Sequence, residues 1–290
     1  MPTPRFIASL SEISDAYDAI LCDIWGVLHD GRSAFPAAGE ALVRYRRKGG
    51  AVALITNAPR PNAPIRTQLD RLGVARDAYD AIVTSGDVTL GLIEARGEAP
   101  VHHIGPVRDL SLYDAIAART GRRPALVGPE AAAYAICTGL EHDHVETPGD
   151  YRMRLGILAE RKLPFVCANP DLVIHRGADL VYCAGALAQI YETLGGEVTY
   201  AGKPYAPIYD AALAACAVAL GRAPKRVLAI GDGFRTDVAG ARARGLDVLF
   251  VAGGIHRDEA MSGAGVAPEG LSTLFAREGY TPAATIAALV

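Results

Sequence analysis

Ala19-Ile20-Leu21-Cys22-Asp23-Ile24-Trp25-Gly26-Val27-Leu28 is an apolar run with one carboxylate near its middle. Such a run reads as a buried strand of a parallel sheet, where two covered faces ask for continuous rather than alternating hydrophobicity. An ionised Asp is costly to bury without a partner. Asp23 is therefore expected where the strand ends and solvent, a metal or a ligand begins. Gly26 lets the backbone turn there or approach a ligand closely. Read alone, Asp23 could equally cap an ordinary turn after a core strand.

Working outward from this run, strand and helix signals alternate. Residues 36–48 carry Pro at the start and Gly49-Gly50 past the end, the asymmetry expected of a helix. An apolar run at 51–55 closing in Thr56-Asn57 predicts a second strand. Residues 61–72 predict a helix stopped by Gly73, and 81–84 a third strand with Ser85-Gly86-Asp87 opening another helix. From about residue 88 to 196 the pattern changes to short strands at 101–104, 125–127, 132–138 and 164–167, with helices at 109–120 and 148–161. The first pattern then resumes: a strand at 197–200, a helix at 207–220, a strand at 226–230 ending in Gly231-Asp232-Gly233, a helix at 236–244, a strand at 247–251 and a final element at 282–289. Alternation of this kind argues for right-handed βαβ units and a Rossmann-like parallel sheet. The expected organisation is an α/β core formed by residues 1–87 and 197–290, interrupted by an α/β insertion at 88–196.

The bulk properties narrow the function classes. In 290 residues, half are hydrophobic and 21% are charged, as in a globular chain of one large or two ordinary domains. A net charge of −3 offers no electrostatic footprint for nucleic acid or an anionic membrane. The one basic cluster, Arg44-Tyr45-Arg46-Arg47-Lys48, falls at a predicted helix C-terminus, where cations suit the dipole, and reads as a solvated helix end. The five cysteines are odd in number and form no C-x-x-C pair, which predicts buried free thiols in a reducing compartment. Residues 1–5 lead into a short amphipathic piece without a signal-peptide core, and no run has the apolar length of a membrane span. A cytoplasmic protein is expected.

Asp23, Thr56-Asn57, Lys203 and Asp232 with Asp237 share one position: each sits at or just after the end of a predicted strand. In an open α/β sheet, ligands bind outside the carboxyl ends of the strands. Carboxylates with one Lys and one Thr suit a phosphate and a hard divalent cation. An Asp carboxylate can also act as a nucleophile through an aspartyl-phosphate. Individually each feature can be read as turn chemistry, Gly231-Asp232-Gly233 after its apolar strand being the most specific; their joint occurrence in this order carries the argument. His102, His103, His142, His144 and His175 show no metal-ligand spacing, and read as surface or specificity groups.

The Asp23-led strand, Ile55-Thr56-Asn57, Gly202-Lys203-Pro204 and the run from Gly231 to Asp237 resemble the four motifs of the haloacid dehalogenase (HAD) superfamily. The insertion resembles the C2-type cap of its NagD-like, class IIA branch. Ala168-Asn169-Pro170-Asp171 resembles the branch's cap-to-core segment, and Cys183-Ala184-Gly185-Ala186-Leu187 the helix start before the third motif. The resemblance implies a Mg²⁺-dependent phosphatase acting on a small phosphorylated metabolite such as a sugar phosphate. It implies Asp23 as nucleophile and Mg²⁺ ligand, the Trp25 backbone carbonyl and Asp232 as further ligands, and Asp237 as their support. Thr56 would bind the phosphoryl group and Lys203 would hold Asp23 and the phosphate. Asn57, Asn169 and Asp171 would position substrate or seat the cap. Cap-mediated homodimers fit the same resemblance.

One position departs from the pattern. The family's phosphatases usually carry Asp-x-Asp in the first motif, the second Asp protonating the leaving group; here the sequence is Asp23-Ile24-Trp25. An indole N–H donates a hydrogen bond but does not titrate usefully. Neighbouring His29 and Asp30 read as residues of the turn leaving the strand. Two readings follow: a phosphatase that favours good leaving groups, or a catalytically weakened phosphometabolite-binding or regulatory protein. A phosphotransferase is a third and weaker reading.

Overall fold

Residues 5–176, 179–263 and 265–290 are described by a computed structural model. The expectations on residues 1–4 and on the His175 side chain lie outside what is described. In chain order the strands are β1 (Ala19–Asp23), β2 (Ala51–Thr56), β3 (Ala81–Thr84), β4 (Val101–Ile104), β5 (Tyr134–Cys137), β6 (Phe165–Cys167), β7 (Val173–Arg176), β8 (Asp179–Tyr182), β9 (Val198–Tyr200), β10 (Val227–Gly231), β11 (Asp247–Val251), β12 (Met261–Ser262), β13 (Gly265–Val266) and β14 (Ala284–Ile286). The chain divides into two compact units, one of residues 1–56, 66–83 and 209–290, the other of residues 57–65 and 84–208.

The first unit is built on a six-stranded sheet in the order β14-β11-β10-β1-β2-β3. β1 lies near its middle, parallel to β10 on one side and β2 on the other. All five of its residues are buried, as a strand covered on both faces requires. The helix Pro36–Arg47 carries the β1–β2 crossover and ends where the sequence predicts. Its basic end is more than a solvated helix terminus. Arg46 donates from Nε to Asp80 Oδ2 at 3.0 Å, and the same oxygen accepts from Val52 N–H at 2.8 Å, tying the helix to the sheet edge. The predicted helix at 236–244 opens as a wider turn of π type at Phe234–Val238 before Ala239–Ala243. The helix Pro268–Glu278 and the β12–β13 hairpin have no counterpart in the sequence reading.

The second unit holds a four-stranded parallel sheet, β4-β5-β6-β9. Alternate residues face opposite cores. Ala135, Cys137, Phe165 and Cys167 pack with Leu155, Leu158 and Leu187, while Tyr134, Ile136 and Val166 pack with Leu90, Leu112 and Ile116. Two expectations need correction. Residues 125–127 form no strand, only a bridge between Leu126 and Val101. Val198–Tyr200, read as the return to the first layer, pairs with β6 instead, because the apolar side of Val198 and Tyr200 completes the second core. The antiparallel β7–β8 pair was not anticipated either. All five cysteines are buried thiols outside any disulfide, as expected. No helix among the described residues is long and apolar enough to cross a membrane.

His103 on β4 accepts or donates to Thr138 Oγ1 at 3.1 Å from Nε2 and packs edge-on against Tyr113. Burial, with repulsion from His102, pushes its imidazole down to about 4, against about 6.5 in an unfolded chain. The unfolded state therefore binds more protons between these values, and stability rises with pH through the window. The neutral ring contributes fully above about pH 6.5 and its contribution is lost as pH falls towards 4. The size is of order 3 kcal/mol. His103→Gln is expected to flatten the acid limb of a urea-midpoint profile between pH 4 and 6.5. His29, also held below its usual value by burial, retains a residual slope of the same sign.

Candidate active site

The parallel register sets the site of the first unit. Cys22 pairs with Ile230 and Asp23 with Ile55. The residue after β10 is thus Asp232, level with the end of β1, and the last residue of β2 is Thr56. Both strands stop there for a physical reason. A continued apolar strand has no use for a carboxylate, and Gly26, in the left-handed region at φ +76°, turns the backbone after β1.

The structure brings Asp23, Asp232 and Asp237 together: each offers one carboxylate oxygen, and these lie within 4.8 Å of one another. All three residues are buried. Backbone amides fix two of them. Ile24 N–H donates to Asp23 Oδ1 at 2.7 Å, and Ile255 N–H to Asp232 Oδ2 at 2.8 Å. Asp237 Oδ2 accepts from Gly233 N–H at 3.1 Å and Thr236 Oγ1 at 3.4 Å. The glycines make the approach possible. A Cβ on Gly26 (φ +76°) would stand 2.1 Å from Asp232 Oδ2, and one on Gly254 2.0 Å from the same oxygen. The loop at 252–255 is the contributor that sequence reading missed. Its signal is the glycine pair Gly253-Gly254, just past the predicted strand at 247–251.

Three like charges at this spacing repel by about 3–4 kcal/mol per pair at an effective dielectric near 20. A cation removes that cost. An all-oxygen set of carboxylates is the donor chemistry of Mg²⁺ or Ca²⁺ and not of a soft transition metal. The residues present therefore fit a hard divalent ion.

The second unit brings together another predicted group. Asn57, Asn169, Asp171 and Lys203 converge although up to 146 residues separate them. The Asn57 side chain clamps the Lys203 backbone from both ends of its amide. Oδ1 accepts from Lys203 N–H at 2.6 Å, and Nδ2 donates to Lys203 O at 3.1 Å and to Asp171 Oδ1 at 2.9 Å. Asn169 Oδ1 in turn accepts from Asp171 N–H at 3.1 Å. Gly202 is needed for this clamp, since a Cβ there would stand 2.4 Å from Asn57 Oδ1. Lys203 is buried, where a charged ammonium needs anionic or hydrogen-bonding company.

His29 and Asp30 keep the turn role expected of them. His29 Nδ1 accepts from Gly31 N–H at 3.0 Å, and Asp30 Oδ1 accepts from the backbone of Arg32 and Ser33, each at 2.8 Å. His29 Nδ1 and Asp30 Oδ1 are thus spent on the loop itself.

Comparison with known proteins places this geometry. A model of haloacid dehalogenase-like hydrolases matches residues 20–117, and a HAD-hydrolase-like model matches residues 200–275. A haloacid dehalogenase-like hydrolase from Brucella suis 1330 is 44% identical in sequence, with a TM-score of 0.84, over 98% of this chain and 100% of that one. Haloacid dehalogenase-like hydrolase domain-containing protein 2 from Bos taurus is 27% identical over 83% of this chain and 86% of its own. A glycerol phosphate phosphatase from Mycobacterium tuberculosis, solved in complex with calcium, shares the fold at 24% identity and a TM-score of 0.65, covering 84% of this chain and 68% of that one.

Proposed function

The chain belongs to the haloacid dehalogenase-like family of hydrolases, with the fold of its NagD-like class IIA branch, and from that premise we propose that it is a phosphatase that hydrolyses the monoester of a small phosphorylated metabolite, a sugar phosphate among the candidates, through an aspartyl-phosphate at Asp23. The observation that carries this reading is the trio of buried carboxylates, Asp23, Asp232 and Asp237, with oxygens within 4.8 Å of one another at the sheet's carboxyl edge. The metal-complexed phosphatase that shares the fold is consistent with it.

In this proposal an Asp23 carboxylate oxygen attacks phosphorus and the ester P–O bond breaks. The leaving oxygen takes up a proton from solvent, and water then cleaves the aspartyl-phosphate to restore Asp23 and release phosphate. Ile24 N–H fixes the carboxylate plane for that attack. Thr56 donates to the phosphoryl oxygens, and Lys203, positioned by the Asn57 clamp, neutralises their charge. Asp23, Asp232 and the Trp25 carbonyl would hold Mg²⁺, with Asp237 in support. When bound, the ion supplies charge neutralisation for the carboxylates and the phosphoryl group. The second unit, which carries the sheet β4-β5-β6-β9, serves as the C2-type cap, with Asn169 and Asp171 placing substrate. Five buried thiols, none in a disulfide, support a reducing, cytoplasmic setting.

Trp25 favours keeping a second reading, a phosphometabolite-binding protein of weakened turnover, because no titrating group stands at that position. General acid help is worth about 10²–10⁴-fold, and leaving groups of low pKa need it least. A panel of aryl, acyl and alkyl phosphates, assayed with Mg²⁺ and with EDTA, tests both readings. Metal-dependent hydrolysis that favours aryl and acyl esters is expected. A clear alkyl preference contradicts the Trp25 argument. Binding without turnover of any ester selects the second reading.

A further inference from the structure

Trp25 sits in a tight loop closed by Gly26 N–H to His29 O and Leu28 N–H to Ile24 O, both at 2.9 Å. Ile24, Val27 and Leu28 are buried to within 3% exposure, whereas Trp25, the largest apolar side chain of the loop, is 41% exposed. Burial of apolar area drives loop packing, so this is the opposite of what the loop's own stability favours. The indole is nevertheless held. The His29 ring meets it edge-on at 5.3 Å and 88°. Gly31, in the left-handed region at φ +87°, lies so close that a Cβ there would stand 2.1 Å from indole Cη2. A larger residue at 31 would displace the ring. The next residue along from Trp25, Gly26, abuts Asp232, and Asp23 lies two residues before it.

We propose that Trp25 is a specificity-determining residue: a braced, half-exposed aromatic platform on the loop that follows Asp23, against which a planar aromatic leaving group of the phosphoester stacks. The inference rests on the phosphatase reading and adds the substrate class to it. An indole offers no proton, but its π-face offers stacking and apolar contact. Those interactions distinguish aryl and nucleoside phosphates from sugar and polyol phosphates by the leaving group's shape, independently of its pKa. Ribose 5-phosphate and a nucleoside 5′-monophosphate share the same scissile oxygen, so any difference between them reports the base alone. Phenyl phosphate against acetyl phosphate separates an aryl ring from mere acidity of the leaving group.

Trp25 is the only tryptophan in the chain, so its emission, excited beyond the phenyl absorption band, reports the platform directly. The wild-type protein with Mg²⁺ is titrated with phenylphosphonate and with methylphosphonate, neither of which is hydrolysed. The expected result is saturable quenching by phenylphosphonate only, with about 5- to 10-fold tighter binding than methylphosphonate by calorimetry. Trp25→Phe keeps the preference and Trp25→Leu loses it. Equal affinity for the two phosphonates with unchanged emission overturns the inference and leaves the phosphatase reading standing. A phenyl preference without hydrolysis of any phosphomonoester sinks the hydrolytic reading and leaves the platform standing. Failure of both phosphonates to bind removes both. Among esters, a kcat/KM preference for the nucleoside monophosphate over ribose 5-phosphate, carried by KM and abolished in Trp25→Leu, identifies a nucleobase as the occupant. The same KM-borne pattern between phenyl and acetyl phosphate alone identifies a simple aryl ring.

Discussion

Asp23→Asn is expected to lower phosphomonoester turnover by at least about 10³-fold without unfolding the protein. The substitution is close to isosteric. Asn keeps the Oδ1 acceptor that receives Ile24 N–H at 2.7 Å, and β1, which is buried throughout, is left undisturbed. What is lost is the anionic oxygen that attacks phosphorus and one of three negative charges gathered within 4.8 Å. Removing that charge also removes two repulsive pairs. In EDTA the variant is therefore expected to melt at or above the wild-type temperature, and to gain less stability than the wild type on adding Mg²⁺. Steady-state rates with an aryl phosphate, combined with thermal melts with and without metal, check both halves. Retained turnover excludes the covalent route, whatever the melts show.

The second large effect is a gain. Trp25→Asp is expected to raise the rate with alkyl phosphates by about 10²–10⁴-fold, and the rate with aryl phosphates by far less. The substitution supplies a titrating group two residues from Asp23, at a position next to the backbone that abuts Asp232. Like charges nearby disfavour ionisation, so a fourth carboxyl group beside the trio is pushed towards the protonated form that an acid needs. The cost to folding is small, because the indole is half-exposed and its contacts are with the His29 edge and Gly31. Comparing kcat for an alkyl and an aryl ester in wild type and variant checks the prediction. A fall for both esters instead means that Trp25 belongs to a working site with other chemistry.

The chemistry-bearing strands were legible because a parallel sheet writes itself plainly. Continuous apolar runs mark the buried strands β1, β2, β10 and β11, and polar residues or glycines mark where each must stop. The convergence of Asp23, Asp232 and Asp237 follows from those ends falling level. Which sheet a short strand joins was not legible. Val198–Tyr200 is three residues long and half-buried, and its pairing with Phe165–Cys167 is decided by the second core, not by its own pattern. The hairpin of Val173–Arg176 with Asp179–Tyr182 was missed because Val173-Ile174 breaks off in His175-Arg176 and Asp179 opens the second strand, so neither is a continuous apolar run. Close approaches were also invisible. That Gly26 and Gly254 both clear space for one carboxylate, or that Asn57 grips the backbone of a lysine 146 residues away, is a fact of tertiary distance. The sequence could name those residues but not their work.

The claim on which the rest depends is that a phosphoryl group passes through Asp23. The most direct measurement is an acid quench of the protein during turnover of an aryl phosphate with Mg²⁺, followed by peptide mapping by mass spectrometry. The predicted result is one phosphoryl group on the peptide that carries Asp23, absent in Asp23→Asn. Burst-phase release of the aryl alcohol under these conditions, with no phosphoryl group on that peptide, would contradict it.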